Sequence, residues 1–152
     1  MRKIVLMRTL LLCGLMLILN SACSNGTLYH TYTFSGEGKH WSAIYSETLT
    51  EKPVYSEGKA THYQPSSEYT FQLAYKGKSG DLKEIKKFTF GFDAVGHGSS
   101  QTMEGPLRVE SLRMQGTGGG LVGREESVIK VSVDWDGQSE QFELVTDGTE
   151  LK

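Results

Sequence analysis

The sequence predicts an all-β domain: a single antiparallel β-sandwich, with an eight-stranded barrel as the alternative closure. Three observations predict it. Apolar and polar residues alternate in run after run beyond residue 27, the period of half-buried strands. Turn residues punctuate these runs at short intervals, giving seven or eight short strands. No stretch beyond residue 27 shows helical periodicity.

The strands follow in order. Residues 28–34 place Leu28, His30, Tyr32 and Phe34 on one face, and Gly36-Glu37-Gly38 supplies a turn. Residues 40–49 place Trp41, Ala43 and Tyr45 on one side, with Glu47 and Leu49 in the same phase. Residues 53–65 are ambiguous: Val54 and Tyr55 suggest a short edge strand interrupted by Pro53 and Pro65. Residues 68–76 set Tyr69, Phe71, Leu73 and Tyr75 against Glu68, Thr70, Gln72 and Ala74. Residues 85–92 bring Phe88, Phe90 and Phe92 to one face, with Ile85 out of phase, so Lys86-Lys87 suggests a bulge. Leu107 and Val109 lie in one phase and Leu112 and Met114 in the other, between glycine-rich connections at 93–106 and 116–123. The last hairpin is specified most tightly. Asp136-Gly137 forms a two-residue turn, which pairs Val131 with Phe142, Ile129 with Leu144 and Val133 with Glu140.

The N-terminus has a different character. Arg2, Lys3 and Arg8 precede an apolar run from Leu10 to Leu19, and Asn20-Ser21-Ala22 leads into Cys23. This is the layout of a secretory signal, and the run is shorter than the ~20 residues a membrane span needs. Residues 1–23 resemble a bacterial lipoprotein signal with its lipobox, although Asn20 stands where leucine is usual and Leu19 lies one place earlier. The resemblance implies removal of residues 1–22, a diacylglycerol on Cys23, and tethering to the outer face of a cell membrane. The competing expectation is ordinary cleavage after Ala22, leaving Cys23 as a free thiol. Cys13 lies within the signal and no cysteine follows Cys23, so an intrachain disulfide does not explain Cys23.

Three segments result: the signal at 1–22, a short polar tether at 23–27, and the β domain at 28–152. The tether reaches only ~17 Å, which would hold the domain close to the bilayer, beneath any thick cell wall. Of 16 basic residues three belong to the signal, which has no acidic ones, so 13 face 18 acidic residues in the mature chain. A net charge of −5 argues against nucleic acid as a partner and against electrostatic adhesion to anionic lipid. The acyl chains would then supply most of the membrane affinity.

Gly36-Glu37-Gly38 with Trp41 and Tyr45, Tyr69-Thr70-Phe71 and Asp134-Trp135-Asp136-Gly137 together resemble small lipoproteins of Gram-positive bacteria. The resemblance implies an immunoglobulin-like sandwich and no particular activity.

Candidate chemistry is sparse. His30, His40, His62 and His97 lack the spacing of a metal site, so neither metal nor cofactor is expected. His30 shares a face with Leu28 and Tyr32 and is the one expected to be buried. Asp134 and Asp136 alternate as in a calcium loop, but Gln138, Ser139 and Glu140 do not complete the pattern. The run Gly116 to Arg124 lacks the ending of a phosphate loop and reads as a connection. His97 and Ser99, in the long segment Asp93 to Gly105, could be drawn as base and nucleophile, without an orienting third residue. Tyr29, Trp41, Tyr45 and Tyr63 could line a binding face or fill the core. The expected function is a non-enzymatic binding module at the cell envelope, its partner an envelope protein or a small ligand. An envelope hydrolase with a site near His97 and a purely structural lipoprotein are the alternatives.

Overall fold

A computed structural model describes residues 26–107, 111–118 and 123–146. The signal segment, Cys23 and Val109 lie outside the described residues. Eight strands follow in sequence: β1 (Leu28–Glu37), β2 (Trp41–Ser56), β3 (Lys59–Tyr75), β4 (Lys87–Ala94), β5 (His97–Glu104), β6 (Ser111–Gly118), β7 (Ile129–Trp135) and β8 (Gln138–Thr146). They form one sheet in the order β5-β4-β7-β8-β1-β2-β3-β6, and every neighbouring pair is antiparallel.

The all-β class stands, and the barrel alternative describes its closure better than the sandwich does. A sandwich has two separate sheets. Here β8 joins them, pairing with β7 from Gln138 to Leu144 and passing to β1 at Val145 and Thr146. The rolled sheet brings β2 and β3 onto β4. Trp41 and Phe88 lie 5.0 Å apart, Tyr45 and Phe92 5.1 Å, and Phe71 and Phe92 5.1 Å between ring centroids. With Phe34, Leu73, Val131, Val133 and Leu144 these rings are buried and form a single core. The seam between β5 and β6 has no strand pairing, but its upper corner is nearly shut. A Cβ on Gly118 would lie 3.5 Å from the His97 ring.

Alternation predicted the inward faces well. Phe34, Trp41, Ala43, Tyr45, Phe71, Leu73, Phe88, Phe90 and Phe92 are all buried, and Glu47 with them. The last hairpin has the predicted register at each of its seven pairs, with Asp136 and Gly137 both at positive φ as such a turn requires.

Four segments differ from the sequence expectation. Gly36 and Glu37 belong to β1, and the chain reverses one step later, where the Gly38 N–H donates to the Trp41 carbonyl. Residues 53–65 are no interrupted edge strand. They lie in a long β2–β3 ribbon that turns at Glu57-Gly58. Pro53 pairs with Tyr63 and Pro65 with Glu51 in one common register, so both missing N–H groups fall on the sides of the ribbon turned away from its own β2–β3 ladder. The ribbon's bulge falls where Val54 pairs His62 but Tyr55 pairs Ala60. Lys86-Lys87 is not a bulge: a 3₁₀ turn at Asp81–Glu84 tucks Leu82 and Ile85 into the core just before β4 begins. Residues 93–106 are not a long connection either, since β4 and β5 meet in a tight turn at Val95-Gly96.

One carboxylate closes the end of the barrel away from that ribbon. Glu140 on β8 accepts from the N–H groups of His40 and Trp41 at 3.1 and 3.2 Å and contacts His40 Nδ1 at 2.7 Å. Burial pushes its pKa up, but the bonds from the His40 ring, the His40 N–H and the Trp41 N–H outweigh this and leave it below the ordinary carboxylate range. A lowered pKa stabilises the fold above the ordinary range, and that stability is lost as pH falls through the lowered value. Glu140→Gln is therefore expected to lose about 1–2 kcal/mol at pH 7 and much less at pH 3, read from urea unfolding at both. An equal loss at both pH values would show that the charge is not what matters.

Candidate functional site

The inward row of β2 runs Trp41, Ala43, Tyr45, Glu47, changing from apolar to acidic as it nears the ribbon. Glu47 pairs with Tyr32 on β1 and Tyr69 on β3, which puts its carboxylate among tyrosine rings. It is 1 % exposed. One step further on β3 the same inward phase holds Ser67, 2 % exposed and paired with Gly118 at the end of β6. From across the rolled sheet, β5 delivers His97 as its first residue. The His97 ring lies 5.0 Å from Tyr69 and 5.9 Å from Phe92 between centroids.

These side chains form a polar cluster over an aromatic floor. The Tyr45 hydroxyl lies 2.8 Å from His97 Nε2. Burial is the main cause holding the Tyr45 phenol far above its ordinary pKa; the charge and hydrogen bonding of Glu47 come next, and Tyr69 adds to them. Tyr45 therefore keeps its proton throughout the working pH range. The Tyr45 hydroxyl stands between the Glu47 carboxylate and His97 Nε2, donating to Glu47 when the imidazole carries its proton on Nε2 and to Nε2 when it carries it on Nδ1. Among the described residues four buried side-chain atoms lack a hydrogen-bond partner: Trp41 Nε1 elsewhere in the core, and Glu47 Oε1, Ser67 Oγ and His97 Nδ1 in this cluster. Ser67 Oγ and His97 Nδ1 both crowd Gly118, 2.5 and 3.5 Å from where its Cβ would be, so the absence of a side chain at Gly118 lets them come together. Buried polar atoms are almost always paired, and leaving one unpaired costs about 1–3 kcal/mol. Three of the four such atoms gather here, which makes this cluster the candidate site.

The sequence candidates distribute unevenly. His97 belongs to this cluster. Ser99 stands two residues along the same face of β5, about 7 Å away along the strand, and the His97 ring is hydrogen-bonded to Tyr45. His30 is not buried: its side chain is 38 % exposed and lies 3.7 Å from Glu51. His40 serves Glu140, and His62 contacts Thr61 in the exposed ribbon. Among the described residues no three His, Cys, Asp or Glu side chains gather as a metal site. Asp136 accepts from the N–H groups of Lys86 and Lys87 at 3.1 and 3.0 Å. These bonds, that from Lys87 foremost, lower its pKa, so the Asp-Gly turn also fastens the start of β4. Gly116 and Gly118 are strand residues of β6, Gly123 lies against Phe34, and residues 119–122 fall outside the described residues. Of the four aromatics, Trp41 and Tyr45 are core, while Tyr29 and Tyr63 are exposed.

No protein-family model, curated protein or solved structure matches this chain. The barrel's own geometry must therefore carry the reading of its function.

Sequence reasoning missed Ser67 and the role of Tyr45. A signal was present, because Ser67 continues the phase of Tyr69, Phe71 and Leu73 backwards. A small polar residue in a core phase, two places from Pro65, draws no attention until the fold sets it opposite His97.

Two shallow surface grooves also exist. One of about 830 Å³ lies on the outer face of β5-β4-β7-β8 around Gly91, Ser100, Ser132 and Gln141. The other, about 460 Å³, lies over Ser46, Thr48, Thr70 and Gln115. Both are open, and among the described residues none with an unpaired buried group lines either.

Proposed function

We propose that this chain is a lipid-anchored, non-enzymatic binding domain on the outer face of a bacterial membrane, and that it takes a small polar ligand at the mouth of its barrel. The observation that carries the binding reading is the group of three unpartnered buried atoms, Glu47 Oε1, Ser67 Oγ and His97 Nδ1. A ligand bearing both a donor, for Glu47 Oε1, and an acceptor, for the Ser67 hydroxyl, would complete the hydrogen bonds that the cluster leaves unfilled. The aromatic floor of Tyr45, Tyr69 and Phe92 suits a compact ligand with an apolar side. Binding is favoured over hydrolysis because Ser67 is 2 % exposed, too enclosed to attack a bond in a polymeric envelope substrate. The anchor rests on Cys23 and the signal before it.

Native mass spectrometry of the chain purified from a lipoprotein-processing bacterium tests both parts. The expected result is a diacylglyceryl mass on the N-terminal Cys23 peptide and a small molecule retained by the wild type but lost from Glu47→Leu. An unmodified Cys23 would remove the anchor. A folded protein that retains nothing, and is unchanged by a panel of amines and amides in thermal-shift assays, would remove the binding site.

A further inference from the structure

The β2–β3 ribbon continues well past the barrel. Among the described residues the last pair between β1 and β2 is Leu28 with Glu51, and the last between β3 and β6 is Ser67 with Gly118. Beyond Glu51, β2 has five more residues, Lys52 to Ser56, paired only with β3, so the ribbon projects about 17 Å. A two-stranded ribbon is marginal in water without a surface to cover it.

Its inward face continues the apolar phase of the core. Leu28, Pro53, Tyr55, Tyr63 and Pro65 share that face, with Glu51 and His30, 3.7 Å apart, at its base. Leu28, Tyr55 and Tyr63 are 45 %, 57 % and 45 % exposed, so this core-like pattern runs out into solvent. The position of the tether says what would cover it. A Cβ on Gly26 would lie 3.4 Å from the Tyr55 hydroxyl and 3.5 Å from the Pro53 ring. Cys23 is only three residues before Gly26, a reach of about 10 Å. A lipid on Cys23 would therefore enter the bilayer beside the tyrosines of the ribbon. Tyrosine is the residue suited to that layer, its ring among the first acyl carbons and its hydroxyl among the headgroups.

We infer that the apolar face of the β2–β3 ribbon lies in the interfacial layer of the membrane to which Cys23 is tethered, and so sets the orientation of the barrel on that membrane. The inference rests on the lipid anchor proposed above. The anchor holds the protein at the surface, and the ribbon fixes which end looks outward. With the ribbon in the headgroup layer, the Asp136-Gly137 turn at the opposite end of the barrel points away from the bilayer.

Fluorescence quenching tests this with the full chain. Tyr55→Trp and Gln138→Trp variants are purified from membranes and reconstituted into phosphatidylglycerol–phosphatidylethanolamine vesicles with bromine at mid-chain. Gln138 is exposed beside the far turn; of the two native tryptophans Trp41 is buried and Trp135, partly buried, lies at that same far turn, so both contribute equally to the two variants. The expected result is at least twofold more quenching of Tyr55→Trp than of Gln138→Trp. Equal or absent quenching overturns the inference. The mass of the N-terminal peptide from the same sample then shows whether the anchor fell too: acylated Cys23 without quenching removes the orientation alone. A ribbon that instead covers a second copy of the chain would leave Tyr55→Trp unquenched and double the mass in light scattering, which also overturns it.

Discussion

Gly36→Ala is expected to destabilise the domain by about 3 kcal/mol, a fall in Tm of roughly 10 °C for a domain of this size. Gly36 is the place where β8 crosses onto β1. A Cβ there would stand 2.1 Å from the Glu143 carbonyl oxygen and 3.1 Å from Leu144 Cδ2. The nearest obstacle is backbone, which cannot swing aside as a side chain can. Among the described residues the contact between β1 and β8 rests on two residue pairs, Phe34 with Thr146 and Ser35 with Val145, so displacing β8 there loosens the junction that turns two sheets into one. Gly80→Ala is the control. Gly80 has φ −61° and ψ −35°, an added Cβ meets nothing within 4 Å, and the change is expected to stay within about 0.5 kcal/mol or stabilise slightly. Thermal unfolding of the two variants side by side decides the matter. Equal Tm values would mean that the β1–β8 junction is not what holds the barrel together.

That junction also explains why the sequence predicted the strands better than their closure. Alternation marks which residues of a strand face inward, and Phe88, Phe90 and Phe92 or Tyr69, Phe71 and Leu73 could be placed from their neighbours alone. Whether β8 stays with β7 or passes to β1 is decided by a glycine 107 residues before Glu143, and no local pattern reports that. Turns were legible in proportion to their chemistry. Asp136-Gly137 belongs to the strongest hairpin signals, and its register followed. Glu57-Gly58 makes a comparable reversal with Glu57 at φ 50°, a conformation that glutamate rarely adopts. With a proline on each strand, the ribbon therefore read as a break. Val95-Gly96 was hidden in a glycine-rich stretch, so His97 read as a loop residue when it opens a strand. The polar cluster needed all of this at once: Tyr45, Ser67 and His97 come from three strands, and only the rolled sheet brings them together.

Glu47→Leu is expected to stabilise the domain by about 1–3 kcal/mol while abolishing ligand retention. The carboxylate is 1 % exposed, with one oxygen unpartnered, and it stands in a row otherwise occupied by Ala43, Tyr45 and aromatic neighbours. Leucine has a similar volume and no polar atoms, so it removes an unfilled hydrogen-bonding requirement without opening a cavity. Tyr45 keeps a partner in the variant, because its hydroxyl still reaches His97 Nε2 at 2.8 Å. The expected gain in Tm is roughly 4–10 °C. Stability and binding should thus move in opposite directions, as they do where a site is maintained against the interest of the fold. A Glu47→Leu domain that unfolds more easily than wild type would show that the carboxylate is a structural member of the core. Its placement among the tyrosines would then require no ligand.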